Sequence, residues 1–128
     1  MQPSIREKFK EAIGVLLLGE FSRNNETLWS IWRDYLHDIP PEDLPPKVRD
    51  SFIWCRTTIM SYFNDSVAAN TGKSRYGSLF NTPEQARDAL WKGYSGSWEW
   101  AVRHPLQGMG HKRVKKIKAM LFQVFAEL

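Results

Sequence analysis

Gly108 and Gly110 stand one residue apart with Met109 between them, and cations crowd in behind them: Lys112, Arg113, Lys115, Lys116 and Lys118. From Arg103 to Lys118 there is no acid. This combination of residue types suits the capture of phosphate. Glycines admit positive φ and let a ligand approach the backbone closely. A helix opening after Gly110 leaves its first N–H groups without intrahelical acceptors, at the dipole end that favours anions. Lys112, Arg113, Lys115 and Lys116 would take neighbouring phosphates, with His104 and His111 adding partial charge. Spacing sends Val114, Ile117 and Leu121 to a core and leaves the basic residues toward solvent. Met109 is expected to plug inward. The plainer reading is a tight turn followed by a solvated helix face. Against it, the cations sit at the helix end where the dipole disfavours them.

The segment 98–121, WEWAVRHPLQGMGHKRVKKIKAML, resembles a helix-hairpin-helix motif. The resemblance is carried by Leu106, Gly108, Met109 and Gly110 in the hairpin, then by Val114 and Ile117. It covers roughly a fifth of the chain. It implies DNA binding without strong sequence preference, through amides at Gly108, Met109, Gly110, His111 and Lys112, with Arg113, Lys115, Lys116 and Arg103 around them. Val114 stands where the family usually carries a small residue, which implies a wider crossing of the two helices. Glycosylases built on this hairpin carry a catalytic Asp well downstream. Here only Glu127 follows, so the resemblance does not extend to that activity.

Other constellations carry less. Gly72-Lys73-Ser74 has the ending of a phosphate-binding P-loop, but the motif's first glycine would fall on Val67, within a helical pattern. Lys73 and Arg75, with Tyr76 and Phe80, could still act as a basic flap with rings able to stack on bases. Trp98 and Trp100 cannot share one helical face, so one of them is expected at an edge. His37, His104, His111 and Cys55 lack metal-ligand spacing. Cys55 falls in an apolar stripe and reads as a buried, inert thiol. Neither catalysis nor a cofactor or metal is expected.

The elements that must position these residues read as helices. Ser4 to Glu7 form a capping box for a helix over 5–21. A second helix, capped by Asn25, runs to Ile39 with Leu28, Ile31, Trp32, Tyr35 and Ile39 as its stripe. Four prolines between 40 and 46 make a stiff connector. A third helix over 47–69 buries Val48, Phe52, Cys55, Ile59, Phe63 and Val67. Thr82-Pro83-Glu84-Gln85 opens a fourth helix that ends near Gly93. A short fifth follows around Trp98 to Val102, and a last one runs from His111 to the C-terminus. No segment alternates, so no sheet of consequence is expected. The predicted fold is an all-α, compact bundle of five or six helices, a single domain over 1–128, with a helix-hairpin-helix-like pair at the C-terminal end.

With 128 residues and 42% apolar content, the chain can bury one sizeable core. The single cysteine forbids an internal disulfide. No leader-like segment is read at the N-terminus and no apolar run spans a membrane, so the expectation is a cytoplasmic protein. Charge is uneven: residues 1–65 carry eight Lys/Arg against ten Asp/Glu, while residues 66–128 carry ten against four. An anionic partner is therefore expected for the second half. The leading expectation is a non-catalytic accessory protein that grips duplex DNA largely independently of sequence. The alternatives are a protein–protein interaction module using residues 1–65, such as a small regulator or inhibitor from a mobile element, and a binder of single-stranded nucleic acid or RNA.

Overall fold

The computed structural model describes residues 4–18, 24–74, 77–78, 80–92, 105–106 and 108–128. Its architecture is all-α. Five helices are described, α1 (Ile5–Leu18), α2 (Asn24–Ile31), α3 (Pro46–Ala69), α4 (Pro83–Trp91) and α5 (His111–Ala126), with one two-residue ribbon. The chain packs as two compact units, residues 1–59 with 109–128, and residues 60–108.

In the first unit, α1 begins as its capping residue predicts: the Glu7 amide donates to Ser4 Oγ at 3.2 Å. Phe9, Ala12, Ile13 and Leu16 line its buried face. Its last predicted turn, 19–21, lies outside the described residues. Asn25 does not cap α2. The helix already starts at Asn24, and the Asn25 side-chain amide donates to the Met109 carbonyl at 3.1 Å.

Downstream, α2 passes into a π-helical segment, Trp32–Leu36, where the His37 amide donates to the Trp32 carbonyl at 2.9 Å. A π turn holds one residue more than an α turn. The buried stripe therefore slips from the expected Tyr35, which is half-buried, to Leu36, which is fully buried. Trp32 enters the core, though its indole N–H meets no acceptor among the described residues. Lys8 on α1 holds this end of the helix through Asp38, at 3.2 and 3.3 Å. Desolvation pushes the Asp38 carboxyl up, but the Lys8 hydrogen bond and charge, helped by His37, outweigh it and leave the pKa below its ordinary value.

The proline connector forms a 3-10 turn at Pro41–Asp43. Arg49 on α3 fastens it. Its Nε donates to the Pro41 carbonyl at 3.0 Å, and its Nη2 donates to Glu42 and Leu44 carbonyls at 3.2 and 3.0 Å. Prolines in this stretch donate nothing, so one guanidinium supplies what the backbone lacks. Arg49→Met keeps the aliphatic stem and removes all three bonds. It is expected to cost about 1–3 kcal/mol, measured by urea denaturation.

The core of this unit centres on Phe52, whose ring lies 6.0 Å from Phe9 and 5.7 Å from Trp32. α3 and α5 run antiparallel: Lys47 meets Glu127 at 3.3 Å, while Cys55 meets Met120 further along α3 and further back along α5.

In the second unit, α3 ends by side-chain capture of its own last carbonyls. Asn70 Nδ2 donates to the Ser66 carbonyl at 2.7 Å and Thr71 Oγ1 to that of Val67 at 2.6 Å. Gly72 takes φ +83°, a conformation side chains rarely adopt, and its amide donates to the Phe80 carbonyl at 2.8 Å. The ribbon pairs β1 (Lys73–Ser74) antiparallel with β2 (Gly77–Ser78). A helix precedes this glycine rather than a strand, as the sequence pattern indicates, so the P-loop context is missing. Thr82 caps α4 through the Gln85 amide at 3.2 Å, with Pro83 at its first position. Trp91 packs edge-on against Phe63 at 5.6 Å. The expected short helix near Trp98 and Trp100 lies outside the described residues.

Candidate nucleic-acid interface

Gly110 is the N-cap of α5, with φ −68° and ψ 153°, and no side chain caps the helix start. The Gly110 carbonyl accepts from the amides of Arg113 and Val114, each at 3.1 Å. The amides of His111 and Lys112 come earlier in the first turn, where an α-helix offers no acceptor of its own. Here the structure corrects one expectation. Neither Gly108 nor Gly110 has a positive φ, and a Cβ built on either would meet nothing within 4 Å among the described residues. Their backbone does not require glycine. Among the described residues, Gly110 leaves open space beside the start of α5.

Met109 points inward as expected and is 4% exposed, with its carbonyl held by Asn25 of α2. Gly108 belongs to the second unit and Met109 to the first. Val114, Ile117, Leu121 and Val124 form the buried face of α5. His111, Lys112, Arg113, Lys115 and Lys116 are exposed, and Lys118 is half-buried. The 3.6-residue period puts Lys112, Lys115 and Lys116 on one arc, facing away from the core stripe.

No carboxylate among the described residues pairs with Lys112, Lys115, Lys116 or Lys118. Cations elsewhere do find partners, as in Lys8–Asp38, Arg33–Asp34 and Lys92–Asp88. The acid of the α5 end, Glu127, is engaged by Lys47 at the far terminus from the basic turns. The arrangement is a cationic helix face whose first amides have no acceptor within the helix. Chemically it suits a polyanion with regularly spaced charges.

One residue of this surface was not singled out in the sequence. Trp54 of α3 is half-buried beside α5, and the Lys116 ammonium lies 4.6 Å from its ring centroid. Only the α3–α5 pairing brings them together. Of the remaining predicted site residues, Lys73 has its backbone in β1 of the second unit, with its side chain outside the described residues. Arg75 and Arg103 lie outside the described residues altogether.

Cys55 is fully buried on the inner face of α3, with Met120 Sδ at 3.8 Å from its Sγ. Burial pushes the thiol up to about 12, although the Lys116 charge pulls the other way. A raised thiol pKa stabilises the fold while the unfolded thiol is still protonated. That contribution fades as pH rises from the ordinary thiol value of 9.0 toward 12. At pH 8 burial therefore holds the thiolate fraction well below that of the unfolded chain. Alkylation by iodoacetamide should be slower in the native protein by roughly two to four orders of magnitude, with full reactivity restored in denaturant. Fast native labelling would contradict this placement.

Among the described residues, no group of three or more His, Cys, Asp or Glu side chains could hold a metal ion, and no helix is long and apolar enough to cross a membrane. No protein-family model, curated protein or solved structure matches this chain. Fold and site together define an all-α protein whose C-terminal helix presents a basic face, with lysines that no carboxylate among the described residues neutralises.

Proposed function

We propose that this chain is a non-catalytic DNA-binding accessory protein that grips the phosphate backbone through the start of α5. In this reading the amides of His111 and Lys112 receive one phosphate, and Lys112, Arg113, Lys115 and Lys116 neutralise its neighbours. The single observation that carries the reading is the set of exposed lysines on the first turns of α5 with no carboxylate partner among the described residues. The helix dipole opposes cations at this end, so helix stability does not account for them. A phosphate would reverse that penalty, since it is favoured by the dipole and by the lysines alike. Contacts of this kind position the protein on a duplex without reading bases.

The test is fluorescence anisotropy of a labelled blunt duplex across a salt series. Neutralising roughly three to five phosphates gives a slope of log K against log salt of about −3 to −5. Absence of binding at low salt would overturn the proposal. A second reading, protein docking through the first sixty-five residues, is favoured by Leu17 and Leu18, which are 60% and 87% exposed at the end of α1. If Leu17→Ser/Leu18→Ser abolished capture of a protein partner while DNA binding was absent in the wild type, that reading would replace the first.

A further inference from the structure

We infer that Trp54 is a stacking platform for an unpaired base, so that the α5 face prefers DNA carrying a single-stranded extension over blunt duplex. This rests on the DNA-binding reading above and adds a substrate class to it. Three observations lead there. Trp54 is half-buried on α3 in the first unit, so part of the residue reaches the surface. Its described neighbour across the seam is Lys116, an exposed cation on the basic arc of α5, with Nζ 4.6 Å from the ring centroid. Lys112 lies one turn before Lys116 on the same arc, and it too is exposed.

The chemistry follows from the contact that covers this ring, an ammonium. An ammonium over an indole at the surface is held weakly, because water competes for it. A phosphate offers Lys116 a full negative charge instead of a ring quadrupole. When a DNA strand approaches, Lys116 can move to the backbone, and the indole face is left for a base. Stacking is tolerant of base identity because every base has a π-face. It does require an unpaired base, since bases within a duplex are already stacked on each other. A ring at the edge of a phosphate-binding helix thus suits the point where duplex gives way to single strand.

The experiment compares a blunt duplex with the same duplex extended by an oligo-dT tail, by anisotropy. It uses wild type, Trp54→Leu and Lys112→Glu/Lys115→Glu, each checked for folding by circular dichroism. Wild type should favour the tailed duplex by roughly five- to a hundred-and-fiftyfold, the range one stacked base spans. Trp54→Leu should lose that preference and keep its affinity for blunt duplex, whereas the charge-reversed variant should lose affinity for both. Equal wild-type affinity for the two DNAs overturns the inference and leaves backbone binding standing, as does a tail preference that survives in Trp54→Leu. If wild type binds neither DNA, the functional reading falls and the inference with it. Should Trp54→Leu fail to fold, photocrosslinking decides the matter in the wild-type protein. A 5-iodouracil tail should attach to the peptide containing Trp54, and attachment only elsewhere overturns the assignment.

Discussion

Lys112→Glu/Lys115→Glu is expected to weaken binding to duplex DNA by about ten- to a hundredfold at low salt, and to flatten the salt dependence by about two units of slope. Both side chains are exposed and neither has a carboxylate partner among the described residues, so the substitution breaks no ion pair among them. It also places acids in the first turns of α5, where the helix dipole favours them. The variant should therefore be as stable as the wild type, or slightly more so. That opposition is what makes the experiment decisive: affinity falls while the thermal midpoint holds or rises. Lys116 is a poorer choice for the pair because its ammonium covers Trp54, and its loss would mix packing with charge. Anisotropy at two salt concentrations, with a thermal melt of each protein, separates the two quantities. An unchanged affinity would mean that the basic face is only solvated surface.

Phe52→Ala is expected to be the most damaging single core substitution, costing about 3–5 kcal/mol. Phe52 is fully buried and its ring is shared by two neighbours, Phe9 from α1 and Trp32 from the π-helical segment. Removing it leaves a cavity that neither rigid aromatic neighbour can fill by changing rotamer. Both ring–ring contacts are lost along with the buried area. A loss of this size is a large fraction of the stability of a domain this long. Urea denaturation followed by far-ultraviolet circular dichroism measures it. Phe52→Leu retains most of the volume and should recover about half of the loss. A cost below about 1 kcal/mol for the alanine variant would be incompatible with Phe52 at the centre of this core.

The α3 and α5 stripes and the caps at Ser4 and Thr82 could be read from the sequence because each depends on residues within one or two turns of one another. Helical periodicity is a local property. A capping hydroxyl serves an amide three residues on, and a proline excludes helix wherever it stands. The same locality made the exposed side of α5 legible: once Val114, Ile117 and Leu121 are assigned inward, Lys112, Lys115 and Lys116 are left on the face away from that stripe. Other features have no local signal. The slip from Tyr35 to Leu36 comes from one extra residue in a π turn, and a pattern counted at 3.6 residues per turn carries no sign of it. Asn25 has the composition of a cap, yet its amide goes to the Met109 carbonyl, a partner 84 residues away. Arg49 looks like any surface cation until the proline turn folds back beneath it. The backbone angles of Gly108 and Gly110 depend on the path the chain takes into α5, so glycine's freedom to adopt positive φ did not mean that it is used there. Trp54 meets Lys116 only because α3 and α5 lie antiparallel in contact. Residue order within a few turns thus settles the helices, the core stripes and the basic face. Which side chains meet across them depends on packing between segments far apart in the chain, and that is fixed only when the chain folds.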